Sequence, residues 1–261
     1  MIWLDEGGHQ RGVRLVASPP ALRDEVEHFW IQDSMPKTVW RIVPDINAHA
    51  IFSIKQEAKG LQANGYIVGA RSEFLDTDVT NRVLTIGVRF RPGALPLLVR
   101  DSAEHFTDRA ITFAEIWGRQ GSSLVEQMMD GPPCIALSNL NQFLFGRFRS
   151  EGASRFSDFL YRATSVAFLT RESGMPRRTL YNRMRATIGL PPRLALRIER
   201  LHEALFELNN GGSIAAAAAG AGYADQAHFT RETVCLLGET PAVWRRRGCS
   251  IVQDNNELRG Q

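Results

Sequence analysis

The chain lacks long apolar runs, paired cysteines and, over most of its length, lysine. No apolar stretch approaches the roughly 18 residues of a membrane-spanning helix, so no membrane partner is expected. The start, Met1-Ile2-Trp3-Leu4-Asp5-Glu6, has no basic segment ahead of an apolar one and is read as carrying no signal peptide. Cys134, Cys235 and Cys249 are odd in number and far apart. They make neither a CxxC pair nor a disulfide framework, which fits a reducing cytoplasm. No Gly-rich phosphate loop, GxSxG elbow or HExxH motif is present. The histidines of the first half, His9, His28, His49 and His105, include no HxH pair. Asp45 and His49 share a turn region, a pairing more often structural than metal-binding. No catalytic residue, metal or cofactor is therefore expected.

What is present describes a soluble globular protein. Hydrophobic residues make up 44% of the 261 residues and charged ones 23%, enough for a sizeable core in one large or two ordinary domains. The net charge of +3 hides an asymmetry. Residues 1–154 carry 16 Lys+Arg against 18 Asp+Glu, a net −2, whereas residues 155–247 carry 14 Arg against 8 acids, a net +6. The last lysine is Lys59, so the positive charge of the second half is all guanidinium. Arginine suits bidentate contacts to phosphate and to guanine edges. Charge of this kind alone fits a solvated face; with a repeat beside it, nucleic acid becomes the better reading.

That repeat spans Val166 to Arg246. Gly174-Met175-Pro176 opens a basic segment from Arg177 to Arg185, and Gly222-Tyr223-Ala224 opens a second from Asp225 to Thr233. Leu180 matches Phe229, Gly189 matches Gly238 and Pro192 matches Pro241, all 49 residues apart. Three matches at one offset indicate a duplicated unit, read as helix, glycine turn, basic helix: a helix-turn-helix. Between the copies, Leu194, Ile198, Leu201, Leu205 and Leu208 predict one long helix from Arg193 to about Leu208. Asn209-Asn210-Gly211-Gly212 stops it, and Ser213 caps an alanine-rich helix, Ile214–Ala221.

The first half predicts an α+β fold overall: a β-rich sandwich or barrel-like domain with flanking helices ahead of an all-α double helix-turn-helix domain. Leu84 to Arg91 is the clearest strand, with Leu84, Ile86, Val88 and Phe90 on one face and Thr85, Gly87, Arg89 and Arg91 opposite. Asn64-Gly65 reads as a hairpin turn between Leu61 and Tyr66. Short helices are expected at Ala94–Val99 and Phe113–Trp117, and longer ones at Leu124–Met129 and Ile135–Phe148. Trp30, Trp40, Phe52 and Phe90 are read as core rather than pocket lining. Residues 1–150 are expected to form the β-rich domain with its trailing helices, 150–154 a linker, 155–247 the double helix-turn-helix domain and 248–261 a polar tail.

In a helix-turn-helix the second helix enters the major groove while the first braces it. Leu180, Met184 and Phe229 are expected inside. Arg177, Arg178, Tyr181, Asn182 and Arg185 of the first unit, and Gln226, His228, Thr230 and Arg231 of the second, are the candidate DNA contacts. Arg reads guanine and Asn or Gln reads adenine bidentately, whereas Thr, Tyr and further Arg side chains position the protein on phosphates.

The run from Leu169 to Met175, with Leu180, Gly189-Leu190-Pro191-Pro192 and Arg200 to Ala204, resembles the first half of an AraC/XylS-type DNA-binding domain. Ser213 to Ala218, Gly222 to Arg231 and Gly238 to Arg246 resemble its second half more closely. Asn182 and Met184 depart from the family's usual Arg and Phe. The resemblance covers roughly 155–247 and implies two recognition helices in successive major grooves, joined by one rigid helix. Phe29-Trp30, Arg41 to Asp45, Gly87 to Gly93, Asp108-Arg109 and Ile116-Trp117-Gly118 resemble a cupin-like sensor module found ahead of such domains. The expectation is a cytoplasmic, nucleoid-associated transcription regulator and not an enzyme. Its expected partners are double-stranded DNA, RNA polymerase, a small-molecule effector and a second copy of the chain. The competing classes are a cupin-like metal- or ligand-dependent enzyme with a helical appendage, and an architectural DNA binder without an effector.

Overall fold

The computed structural model describes residues 13–34, 38–58, 60–148 and 154–246, with the side chains at 38–40, 78–79 and 154–157 excepted. The expected polar tail, residues 150–153 of the expected linker and the side chain of Trp40 lie outside the described residues.

Among the described residues, eight strands build the first half: β1 (Val13–Ala17), β2 (Val26–Ser34), β3 (Thr38–Ile42), β4 (His49–Glu57), β5 (Gly60–Val68), β6 (Leu75–Val79), β7 (Val83–Phe90) and β8 (Ala110–Thr112). All pairings are antiparallel. Six strands form one sheet in the order β1-β2-β7-β4-β5-β8, and β3 pairs with β6 apart from it. Among the described residues the end strands of the large sheet, β1 and β8, do not pair with each other, so the arrangement is sandwich-like and does not close into a barrel. Alternation along the central strands puts Phe29, Phe52, Ile86, Val88 and Phe90 on one side. There they pack with side chains of α1 (Leu95–Val99), α2 (Phe113–Trp117), α3 (Arg119–Met129) and α4 (Pro133–Phe145). Trp30 lies in a second cluster with Ile51 and Val68. Trp30, Phe52 and Phe90 are thus core residues.

One reading of this half changes. Asn64-Gly65 is not a turn: both residues lie inside β5, paired with Ser53 and Phe52, and the hairpin reverses between Glu57 and Gly60. Gly65 is required by packing, since a Cβ there would sit 2.2 Å from Cδ2 of Phe113. The faces of β7 fall as expected. Thr85 and Arg89 share a face opposite Ile86 and Phe90, yet both are buried, because other parts of the chain cover that face too.

The second half is helical. It comprises α5 (Ser154–Tyr161), α6 (Val166–Ser173), α7 (Arg177–Ile188), α8 (Pro192–Asn209), α9 (Ile214–Gly220), α10 (Gln226–Leu237) and α11 (Pro241–Arg246). Each boundary has a local cause. The hydroxyls of Ser165 and Ser213 and the Asp225 carboxylate accept from the backbone amides of Phe168, Ala216 and His228, capping α6, α9 and α10. Pro176 and Pro191 sit immediately before α7 and α8. Leu180, Met184 and Ile188 of α7 bury against Ala195, Leu196 and Ile198 of α8. Phe229, Leu236 and Leu237 of α10 bury against Leu201, Ala204, Leu205 and Leu208 of the same helix. Ala217 and Ala218 let α9 lie close to α8. The strut α8 therefore supplies one stripe to each unit's core.

Candidate nucleic-acid interface

The two helix-turn-helix units are α6–α7 and α9–α10. Inward residues are settled by burial: Leu180 is 1% exposed, and Met184 and Phe229 are fully buried. Arg177, Arg178, Tyr181, Asn182 and Arg185 on α7 are all exposed. On α10, Gln226 and Arg231 are exposed, while His228 and Thr230 are half-buried. His228 meets the Tyr223 ring edge-on at 5.3 Å, and the Thr230 hydroxyl donates to the Gln226 carbonyl at 2.8 Å. Arg177, Arg178, Tyr181 and Asn182 share the N-terminal half of α7, as Gln226 and Arg231 do on α10, which is the end of a recognition helix that meets base edges. Arg185 lies one turn further along and pairs at 3.1 Å with Glu104 of the β domain. α8 rises about 27 Å over its 18 residues at about 1.5 Å each, short of the ~34 Å between successive major-groove segments.

The second unit is bound tightly to the strut. Arg197 on α8 grips Glu232 on α10 with two bonds, at 2.7 and 3.1 Å. Arg200 of α8 lies over the Tyr223 ring at 5.7 Å. Burial, with Glu232 nearby, pushes the Tyr223 hydroxyl pKa upward, so it stays protonated.

The β domain and the helical half meet through a buried polar network that the sequence reading did not anticipate. Arg89 donates to Glu27 (2.7 Å), to Asn47 (2.7 Å) and to both carboxylate oxygens of Asp45. Burial works against ionising Glu27 and Asp45; the Arg89 guanidinium, joined by the Tyr161 bond at Glu27 and the His49 bond at Asp45, outweighs it and holds both carboxyls below their usual range. His49, 3.2 Å from Asp45, is held by burial down to about 3 and is neutral. From the helical side, the Tyr161 hydroxyl donates to Glu27 and accepts from Asn47 at 3.1 Å. Nε2 of His202 on α8 meets the Pro44 carbonyl at 2.6 Å, which fixes the proton on that nitrogen. Burial holds His202 down to about 4. The Asp45–His49 pair is thus part of an ion-paired core. Among the described residues no group of three or more His, Cys, Asp or Glu is arranged to hold a metal ion. A cavity of about 620 Å³ opens behind Tyr161 and His202, bordered also by Glu199, Arg200, Glu203 and Phe206.

Residues 169–247 match the family described as "Helix-turn-helix domain", and residues 14–112 match "Domain of unknown function (DUF6597)". The first match runs from within α6 through α11. No curated protein matches the chain. Solved structures of ToxT from Vibrio cholerae are similar at low identity. One is 9% identical with a TM-score of 0.46, covering 84% of this chain and 97% of that one. Another, bound to (E)-4-(8-methylnaphthalen-1-yl)but-3-enoic acid, is 10% identical with a TM-score of 0.45 over the same shares. A likeness of this size carries no weight for function. The helical half is an AraC-type double helix-turn-helix, a DNA-binding module attached to an antiparallel β domain.

Proposed function

We propose that this DNA-binding transcription regulator reads a two-part operator, with α7 and α10 in successive major grooves, under control of a small-molecule effector. The observation that carries the reading is the coincidence of the helix-turn-helix match over 169–247 with two units whose outward helix faces are cationic and polar. Arg178 and Asn182 are assigned to base edges in the first unit and Gln226 in the second; Arg177, Tyr181, Arg185, His228, Thr230 and Arg231 are assigned to phosphates and to orientation. The effector would act where the halves meet. Tyr161 and His202 both join the β domain and border the 620 Å³ cavity, so a ligand there bears on both halves at once. RNA polymerase and a second copy of the chain complete the proposed partners, and the reading assigns the protein to the cytoplasm and nucleoid.

The test is a gel shift of the full chain on sites enriched from a random pool, at several salt concentrations and with candidate ligands. Affinity falling linearly in log–log with salt, with a slope of roughly one per phosphate contacted, is expected alongside clear preference over scrambled DNA. Equal affinity for scrambled DNA at every salt concentration refutes sequence reading.

A further inference from the structure

The repeat's two glycines have a second role. Gly189 and Gly238 end α7 and α10 in the left-handed conformation, at φ 96° and 72°. Both also lie against the β domain too closely to admit a side chain. A Cβ on Gly189 would lie 2.3 Å from Oγ1 of Thr107, and one on Gly238 would lie 2.5 Å from Cζ of Phe74. Each contact is backed by a bond to the end of the recognition helix. The Thr107 hydroxyl donates to the Gly189 carbonyl at 2.9 Å, with the Arg185–Glu104 pair one turn back. Arg41 of β3, stacked over Phe74 at 4.6 Å and held by Asp76, donates to the Leu237 carbonyl at 3.1 Å and to Glu239 at 3.2 Å. Equivalent points on the two units are thus gripped by different chemistry from two segments of one domain.

Between the grips, the turn after β3 is keyed into both units. Val43 is buried in the apolar cluster of the second unit and Ile46, three residues on, in that of the first. The turn is itself rigid: Asp45 exchanges two backbone bonds with Arg71 and is bound by Arg89.

On the reading that α7 and α10 both enter DNA, we propose that the β domain is a second brace, which with α8 fixes the distance and angle between the two readers and so sets the half-site spacing the protein accepts. A single helix holds each unit only along the stripe that packs on it; a domain gripping the far end of each recognition helix closes the triangle. One inserted base pair moves a half-site about 3.4 Å and turns it by roughly 34°, which a braced pair of readers does not follow.

The experiment takes the best site enriched by the full chain and measures binding to it and to versions with one base pair inserted or removed between the half-sites. Wild type should lose about 100-fold on either change, the scale of forfeiting one or two base contacts. The full-chain double variant Thr107→Val, Arg41→Met should bind the parent site more weakly but pay less than about tenfold for the same change in spacing. Thr107→Val alone, which keeps the side-chain size, should move the ratio in the same direction should the double variant fail to fold. A wild type that tolerates the inserted base pair within about threefold overturns the brace, as does a folded variant with an unchanged spacing penalty. A full chain that enriches no sequence removes the DNA-reading premise and the brace with it.

Discussion

Replacing Arg89 by Met tests the buried network that joins the two halves. Arg89 is 4% exposed and serves Glu27, Asp45 and Asn47 through four bonds. Met keeps much of the stem's length and removes the charge, leaving two buried carboxyls without their guanidinium. Breaking a buried pair from one side costs about 3–5 kcal/mol, a large part of the roughly 5–15 kcal/mol that holds a domain folded. The loss should depend on pH. With Arg89 gone, burial alone pushes both carboxyls up from the unfolded values near 4. A raised carboxyl pKa destabilises above the unfolded value and ceases to do so below it, so the penalty should shrink as pH falls from 7 toward 4.5. Urea denaturation of both proteins at pH 7 and pH 5 measures it. A loss under about 1 kcal/mol at pH 7, typical of an exposed pair, refutes the reasoning. So does an equal loss at both pH values.

The remaining predictions concern the readers and the pH profile. Arg178→Ala and Gln226→Ala should each relax preference at one part of the site by about 1–3 kcal/mol, measured by competition with base-substituted DNA; uniform weakening on every sequence would make them phosphate contacts. Asp225→Ala removes the cap of α10, whose Oδ1 accepts from the His228 amide at 2.6 Å, and should lower stability by about 0.5–2 kcal/mol in urea melts. An unchanged midpoint contradicts the cap. Acidification should destabilise the protein through its buried imidazoles. Burial holds His28 and His202 down to about 4 and His49 to about 3, against 6.5 ordinarily. The unfolded chain takes up protons below 6.5 that the folded one refuses, so Tm should fall between pH 7 and pH 4.5; a flat Tm over that window argues that these imidazoles are not buried neutral.

The helical half was largely legible because its signals are local or repeat. The 49-residue offset aligned Leu180 with Phe229, and both are core; Ser165, Ser213 and Asp225 cap helices within three residues of themselves. The strand pattern of β7 was legible too, but its second face was not. Alternation puts Arg89 on the face opposite Ile86 and Phe90 and says nothing of what covers it; only the fold brings Glu27 and Asp45, 62 and 44 residues away, to pair with it. Asn64-Gly65 misled for the opposite reason: the glycine answers a distant ring, Phe113, rather than a local turn. The interface left no trace in spacing, since its partners stand 82 residues apart for Thr107 and Gly189, 134 for Tyr161 and Glu27, and 198 for Arg41 and Glu239.

Two readers on one strut make a specific demand of DNA. Hydroxyl-radical footprinting of the full chain on its enriched site puts that demand to the most direct test. The account predicts two protected windows on the same face of the duplex, centred about one helical turn, roughly 10–10.5 base pairs, apart, with Arg178→Ala weakening one window and Gln226→Ala the other. A single window, or two on opposite faces, would contradict it.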